Sequence, residues 1–315
     1  MAATMIDIPV VLVLGAGASK PYRFPLGTEL REVALQPPES DLPTALSGIH
    51  DALTMQLPEF QSKLRAARRT SIDAFLEARP HYENLGKLVI AYHLIRCENE
   101  NRLYSVKSEE DWYQYLIEMM LTDGFDKFGR NTLSIITYNY DRSLEYYMFH
   151  MLKEGYGQSD DACRDAMRAI PILHLHGQLG LLPELDDEGR PYESKVDERR
   201  LRLAANGIRI AHDESLDQDA VFTEARKLLS EARYVIFLGF GYLDKNVERL
   251  NLQVNRMKNT SYWGTGVKVT PSEAKQYARL FPENYSGDGP LLITIETGTK
   301  GVKAYIRNNL HLFIK

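Results

Sequence analysis

The sequence predicts an α/β fold, namely a Rossmann-like, mostly parallel sheet flanked by helices, with a large α-helical insertion. The first observation is Ile8–Leu14 (IPVVLVL), a near-continuous aliphatic run of the kind that forms a buried parallel strand. The second is that further apolar runs follow and are separated by segments with helical spacing, as in repeated βαβ units. These further strands are predicted at Leu133–Thr137, Ile170–His176, Tyr234–Leu238 and Leu291–Ile295.

The third observation is a helical pattern over residues 42–125, where apolar residues recur three and four positions apart, as at Ile72, Phe75 and Leu76. This stretch has no strand pattern, so we interpret it as a helical insertion or subdomain within a single domain spanning residues 1–315. The polar segment 184–200 is predicted to be a long loop or lid. Shorter helices are predicted at about 28–35 and 143–153, at about 244–256 after a glycine turn, and from near Pro271 after Gly264–Gly266 and Val267–Val269.

Composition limits the classes of function. A net charge of −5 over 315 residues gives no general attraction to nucleic acid, and we interpret the basic clusters at 65–69 and 199–202 as solvated helix faces. Cys97 and Cys163 form no CxxC or Cys/His cluster, so two buried thiols and no zinc site are expected. No run approaches the ~18 apolar residues of a membrane span, and no signal peptide is evident. The sequence therefore predicts a cytoplasmic protein with no membrane partner.

Two glycine-rich turns follow predicted strands. After the first strand comes Gly15–Ser19 (GAGAS), where glycine allows a tight turn and lets backbone N–H groups approach a pyrophosphate. Gly15, Ala16, Gly17 and Ser19 are the predicted phosphate-binding positions. Lys20 stands where a full GxGxxG fingerprint has its third glycine, and no Walker A pattern occurs. Gly239-Phe240-Gly241 repeats the pattern after a later strand, either to hold ribose or phosphate oxygens or only to turn the chain.

Polar residues follow the second and third predicted strands. Asn139 and Asp141 are typical either of a ligand site or of a turn that caps the next helix. His174 and His176 lie two apart, hence on one face of a strand. We assign a catalytic role to His176, because Gly177 leaves room for a ligand beside it and a pKa near 6.5 lets it accept a proton. His174 is interpreted as structural. The carboxyl ends of parallel strands share one edge, so these residues are expected to converge on one nucleotide.

In this order, the segments GAGAS, TYNYD, LHLHG and GFGYLD resemble the sirtuin superfamily, and more closely the bacterial sirtuin-like NAD-consuming domains of antiphage defence systems. Sirtuins carry a GAG loop, a T-Q-N-x-D segment, a catalytic His-Gly and a later glycine-rich strand end. Asn139 and Asp141 match the T-Q-N-x-D positions, His176 matches the catalytic histidine, and Ser19 matches the serine after the glycine loop. Gly264–Gly266 also resembles the late part of these domains, whereas residues 42–125 match none of the motifs.

The resemblance implies NAD as the substrate and Asn139, Asp141 and His176 as the catalytic residues. Protein-deacylating sirtuins have a four-cysteine zinc module and a G-I-P-D-F-R loop, whereas this chain has two cysteines and the segment 22–27 (YRFPLG). The resemblance therefore favours an NAD+ glycohydrolase that releases nicotinamide and ADP-ribose, without zinc. It also implies an abortive-infection effector that stays inactive until a sensor or activator protein, or homo-oligomer assembly, triggers it.

Three alternatives stay open. The first is a regulatory module that binds NAD or ADP-ribose without catalysis. The second is an NAD-dependent deacylase or ADP-ribosyltransferase. The third is an NAD-linked oxidoreductase, which needs the full glycine fingerprint and an acidic residue about 20 positions beyond it, at the end of a second strand. The nearest acids, Glu32, Glu39 and Asp41, lie in a predicted helix or in the proline-rich break that follows it.

Overall fold

The structure of the chain is a computed structural model. It describes residues 5–39, 41–210, 219–252, 260–267, 269–281, 284–286, 289–291, 293–298 and 300–314.

A parallel sheet of six strands lies at the centre of the fold, in the order β3-β2-β1-β4-β5-β8. Val10 of β1 pairs with Leu133 and Tyr234, and Leu14 pairs with Thr137 and Leu238, so three strands end level with one another. The predicted Rossmann-like α/β class is therefore confirmed. The strands are β1 (Val10–Leu14), β2 (Leu133–Thr137), β3 (Ile172–His174), β4 (Tyr234–Leu238), β5 (Ser261–Gly266), the antiparallel pair β6 (Asn284–Ser286) and β7 (Gly289–Leu291), and β8 (Thr294–Thr297).

Helices cover both faces of the sheet. Between β1 and β2 lie α1 (Ala16–Ser19), α2 (Gly27–Ala34), α3 (Asp41–Ile49), α4 (Asp51–Ala67), α5 (Ile72–Glu77), α6 (Glu83–Ile95), α7 (Glu100–Tyr104) and α8 (Trp112–Met120). They are followed by α9 (Ser143–Tyr156), α10 (Asp160–Arg168), α11 (Glu198–Gly207), α12 (Ala220–Glu231), α13 (Asp244–Arg249), α14 (Pro271–Ala278) and α15 (Val302–Asn308). The division of the chain into one domain with an insertion at 42–125 stays a prediction.

The alternation of side chains along β1 explains how one strand contacts two cores. All five of its residues are buried. Val10, Leu12 and Leu14 face the core built with the helices that precede β2, and Val11 and Val13 face the core built with α12. This burial on both faces is why the strand is a continuous aliphatic run in the sequence.

Several predicted boundaries were wrong. The third strand ends at His174, because the chain turns there and Gly177 N–H donates to the His174 carbonyl (3.1 Å). His176 therefore lies beyond the strand. Gly15 is followed at once by the short helix α1, and α2 begins at Gly27 with Leu26 as its N-cap. The Cys163 side chain is buried as predicted, whereas that of Cys97 is half-buried.

The boundaries near the C-terminal end also differ from the prediction. The helix that begins at Asp244 ends at Arg249, and its predicted end at Arg256 lies outside the described residues. Gly264–Gly266 forms the end of β5. The last strand is Thr294–Thr297, where pairing with β5 fixes its position.

A buried ion cluster fixes the beginning of the segment predicted to be a lid. Glu98, Arg142 and Arg190 are each at most 1% exposed. The Glu98 carboxylate accepts from Arg142 Nε (2.9 Å) and from the Arg190 guanidinium (2.5 Å). Arg142 also donates to the carbonyls of Leu181 and Arg190, at 2.7 and 2.8 Å. Around Arg190 the segment is thus part of the interior, and from Glu198 onward it is helical.

Candidate functional site

The sheet order reverses between β1 and β4, and in open α/β sheets ligands bind at the carboxyl end of such a switch point. The two glycine turns lie there and contact each other. Gly15 N–H donates to the Leu238 carbonyl (3.1 Å), and Gly17 N–H donates to the Gly239 carbonyl (2.9 Å). The two turns therefore lie together at one edge of the sheet, as the sequence predicts.

The reason for the glycines differs from the predicted one. A Cβ atom on Gly15 or Gly17 would lie 2.7 or 2.8 Å from the Gly239 carbonyl oxygen. Gly239 has φ +57°, and a Cβ there would lie 2.1 Å from the Ala18 nitrogen. Close packing between the two turns thus requires glycine, whereas a Cβ on Gly241 would meet no atom of the described residues within 4 Å.

The amides of the first turn are only partly available to a phosphate. Gly15 N–H already donates to the end of β4 and Gly17 N–H to the second turn, and Ala18 N–H donates to the Gly15 carbonyl (2.9 Å). Ala16 is the first residue of α1, where no preceding helical turn supplies an acceptor for its N–H. The assignment of a phosphate to Gly15–Ser19 stays a prediction, and the Ala16 amide is its best-placed donor.

Asn139 connects the end of β2 to the first glycine turn. Its Nδ2 donates to the Gly15 carbonyl and to Ser19 Oγ, both at 3.0 Å. Its own N–H donates to Thr137 Oγ1 (3.0 Å). Within the described part of the chain no donor contacts Asn139 Oδ1, so this oxygen is the atom that remains for a ligand.

Asp141 is buried at the start of α9. Its Oδ1 accepts from the Ser143 N–H (3.3 Å) and from the Ser143 hydroxyl, whose oxygen also lies 2.8 Å from the Tyr113 hydroxyl. Burial raises the pKa of the Asp141 carboxyl, and hydrogen bonds from Ser143 and Ser19 oppose the rise. Asp141 thus accepts a hydrogen bond at the start of α9 and also lies beside Ser19. A helix-capping role and a ligand-binding role are therefore compatible.

His174 has a protein partner at each ring nitrogen. Nδ1 donates to the Asn139 carbonyl (2.8 Å), and Nε2 lies 2.5 Å from Glu145 Oε1. Burial alone would lower its pKa, but the Glu145 carboxylate raises the pKa of His174 above 6.5. These contacts agree with the structural role assigned to His174.

His176 is buried, and among the described residues its Nε2 has no polar partner. Its ring packs edge-to-face on Tyr138, with centroids 5.2 Å apart, and lies 6.1 Å from the ring of Tyr140. Burial lowers the pKa of His176, since desolvation penalises the imidazolium. The imidazole is therefore neutral at pH 7, and Nε2 is free to accept a proton.

Gly177 does not serve the predicted purpose of leaving room beside the imidazole. It has φ +70°, and a Cβ there would lie 2.0 Å from the Gly207 carbonyl oxygen. The residue also forms an isolated antiparallel bridge with Ile208. The glycine is therefore required by backbone packing after α11.

A cavity of about 90 Å³ lies beside these residues. It contains four of the predicted site residues but not His176, Gly239 or Gly241. Sequence reasoning missed Asp73, which comes from α5, and Tyr140, which stands between Asn139 and Asp141; no motif marks Asp73. The lining consists of Ala16, Ser19, Phe24, Pro25, Gly27, Leu30, Asp73, Leu94, Tyr138, Asn139, Tyr140 and Asp141.

The buried imidazole of His176 predicts a pH dependence of stability. The unfolded chain binds a proton at this residue near pH 6.5, whereas burial lowers the pKa in the folded state. Stability from neutral His176 is thus present above about pH 6.5 and is lost as the pH falls through the folded pKa. Urea unfolding between about pH 7.5 and 5 should show the wild type losing up to ~1.4 kcal/mol per pH unit relative to His176→Gln. Parallel curves for the two proteins would contradict this expectation.

A known protein family matches the part of the chain that includes β2 and β4, whose carboxyl ends lie at this edge of the sheet. Residues 133–284 match a family model described as the SIR2-like domain, which indicates an NAD-related function. The match begins at β2 and includes Asn139, Asp141, His176 and Gly239, whereas Gly15–Ser19 precedes it. No curated protein matches the chain.

The described residues provide neither a metal-binding cluster nor a membrane-spanning helix. They contain no group of three or more His, Cys, Asp or Glu side chains arranged to hold a metal ion. The expectation that the protein needs no zinc stays a prediction. Within the same residues, no helix has the length and apolar character needed to cross a membrane.

Proposed function

We propose that the protein is an NAD+ glycohydrolase, which uses water to cleave NAD+ into nicotinamide and ADP-ribose. The observation that carries the proposal is the SIR2-like match together with the position of Asn139, which donates to both Gly15 and Ser19 at the switch point of the sheet. The absence of the full dinucleotide fingerprint disfavours hydride transfer.

The chemistry requires little acid catalysis. When the bond between ribose C1′ and the nicotinamide nitrogen breaks, its electron pair goes to the ring, which leaves as neutral nicotinamide. The remaining sugar centre resembles an oxocarbenium ion and accepts a water oxygen. The protein therefore has to hold NAD+ in a reactive pose, exclude bulk water and accept one proton.

Each residue has a role in this scheme that agrees with its surroundings. Asn139 Oδ1 orients the ribose or the attacking water, since Nδ2 is already committed to the glycine turn. His176 hydrogen-bonds the ribose hydroxyls or accepts the proton released by water, because burial favours its neutral imidazole and no group in the described part of the chain contacts Nε2. Asp141 holds the carboxamide or orients its neighbours, and Gly15–Ser19 binds the pyrophosphate.

We further propose that this activity makes the protein an effector of an antiphage, abortive-infection system. Uncontrolled NAD+ loss is toxic, so the enzyme would be held inactive until a sensor or activator protein, or assembly into a homo-oligomer, triggers it. The support for this cellular role is the sequence resemblance to bacterial sirtuin-like domains of such systems.

The variants His176→Ala and Asn139→Ala test the proposed catalytic roles. General acid–base groups contribute roughly 10²–10⁴-fold, so we expect at least a ~100-fold loss of nicotinamide release in His176→Ala. Asn139→Ala should lose activity to a similar degree. The readout is NAD+ consumption, with nicotinamide and ADP-ribose separated by chromatography.

His150→Ala is the matched control, because His150 lies on α9, contacts Glu184 (3.3 Å) and is not one of the predicted site residues. Circular dichroism and the unfolding midpoint verify that each variant is folded. Near wild-type turnover in His176→Ala would contradict its role. Tight binding of NAD+ without cleavage in every protein, activating conditions included, would favour a binding module.

A further inference from the structure

Helix α5 carries two acidic residues on one side and apolar residues on the other. Ile72, Phe75 and Leu76 are buried, whereas Asp73 and Glu77 are half-buried. Positions four apart lie on the same face of a helix, so both carboxylates face in one direction. α5 precedes the part of the chain that matches the SIR2-like domain.

Asp73 contacts the loop that carries the predicted catalytic residues. Its Oδ1 accepts a hydrogen bond from the hydroxyl of Tyr140, a residue that is 7% exposed. Tyr140 stands between Asn139 and Asp141 in the chain. Both Asp73 and Tyr140 line the cavity that contains these two residues.

Glu77 contacts the other side of the switch point. Its two carboxylate oxygens accept from Lys245 Nζ (3.0 Å) and from the Arg249 guanidinium (2.9 Å). Both cations belong to α13, which follows the Gly239–Gly241 turn. Through two carboxylates, α5 thus joins the loop after β2 to the helix after β4 across the ligand-binding edge.

The cavity lined by Asp73 and Tyr140 is too small for a dinucleotide. It measures about 90 Å³, whereas ligand pockets span roughly 300–1,000 Å³. The Asp73 carboxylate has the Tyr140 hydroxyl as its partner, and the Glu77 carboxylate has two cations. The two carboxylates of α5 therefore have Tyr140 and the cations of α13 as their hydrogen-bond and ion-pair partners.

We propose that α5 is an autoinhibitory latch, which must release Tyr140 and α13 before NAD+ enters the site. The ligand rests on the proposed function, whereas the latch rests on the contacts of Asp73 and Glu77. The apolar face of α5 stays packed against α6 when the carboxylates let go of their partners, because Leu76 lies close to the α6 backbone. A Cβ on Gly86 of α6 would lie 2.4 Å from Leu76 Cδ2. An activating partner would act by competing for the carboxylates or by displacing the short helix.

The test weakens the latch without removing its packing. Tyr140→Phe deletes the hydroxyl and keeps the ring, and Glu77→Gln removes the charge that holds Lys245 and Arg249. Tyr82→Phe is the matched control, since it deletes a similar bond from Tyr82 to Glu59 Oε1 (3.0 Å) away from the cavity. All are made in the His176→Ala background, so that bound NAD+ is not consumed.

Two readouts are combined, namely hydrogen exchange of the α5 amides and calorimetric titration with NAD+ and with ADP-ribose. We expect faster exchange in α5 and about tenfold tighter NAD+ binding in the double variant, which corresponds to about 1.4 kcal/mol. Tyr82→Phe should change neither. Unchanged α5 exchange, or unchanged or weaker NAD+ binding in the double variant, would overturn the latch.

The same variants with His176 intact separate the two proposals. Tighter NAD+ binding without any cleavage would support the latch and contradict the glycohydrolase. Equal and rapid cleavage by the wild type and the double variant would support the glycohydrolase and overturn the latch. Binding of neither NAD+ nor ADP-ribose by any variant would contradict both.

Discussion

Replacing Glu98 with glutamine is expected to lower the free energy of unfolding by about 3–5 kcal/mol. Glu98 is the carboxylate that contacts the buried guanidinium groups of Arg142 and Arg190. Without its charge, two cations that are 1% exposed lose their counterion, and an uncompensated buried charge is costly. The Arg142 guanidinium, which donates to the carbonyls of Leu181 and Arg190, would also lose the carboxylate that positions it.

Urea unfolding of Glu98→Gln and of Glu100→Gln measures this effect with a matched control. Glu100 is an exposed neighbour on α7, where a surface substitution usually changes stability by no more than ~0.5 kcal/mol. If the two variants were equally stable, the cluster would not fix the segment that follows Leu179.

Gly239→Ala is expected to have the second large effect. A residue with a side chain at φ +57° costs roughly 1–2 kcal/mol, and the new Cβ would lie 2.1 Å from the Ala18 nitrogen. That atom is backbone, so relief requires the two glycine turns to separate, which adds roughly 1–3 kcal/mol of overpacking. The total loss of unfolding free energy is expected to be about 2–5 kcal/mol.

Gly241→Ala is the control, because within the part of the chain that the structure describes a Cβ there meets no atom within 4 Å. We expect its unfolding free energy to stay within about 1 kcal/mol of the wild type. Denaturant titration compares the two variants directly. Equal stability of Gly239→Ala and Gly241→Ala would contradict the packing of one turn against the other.

The strands of the sheet can be predicted from the sequence because a short local pattern of apolar residues determines each of them. β1, β2 and β4 are continuous apolar runs bounded by turn residues, and the structure places each where the sequence pattern has it. The edge strand β3 was placed too long, because the apolar pattern continues past His174 although the pairing with β2 ends there. Parallel strands of similar length then bring Gly15, Asn139 and Gly239 to one edge.

The glycines are required by contacts between segments that lie far apart in the sequence, so a local sequence pattern does not reveal the reason for them. Gly15 and Gly17 look like a phosphate loop, but their Cβ positions are filled by Gly239, more than 200 residues away in the chain. Gly177 has the same kind of explanation, since Gly207 occupies the space that the sequence assigns to a ligand.

The sequence also does not show which helical residues contribute to the site. Asp73 lies 67 residues before Tyr140, and nothing in its surroundings distinguishes it from a solvated helix carboxylate. Glu98 joins Arg142 and Arg190 across separations of 44 and 92 residues. A sequence pattern of period 3.6 identifies the helices of residues 42–125, but it does not show which of their polar residues face the sheet.

The most direct test of the central proposal is the product balance of NAD+ in dilute buffer, without an acylated peptide or a second substrate. We expect one nicotinamide and one ADP-ribose for each NAD+ consumed by the wild type or by the Tyr140→Phe/Glu77→Gln variant, with no NADH formed. NADH formation, nicotinamide release only when an acylated peptide is added, or intact NAD+ with both proteins would contradict the assignment as an NAD+ glycohydrolase.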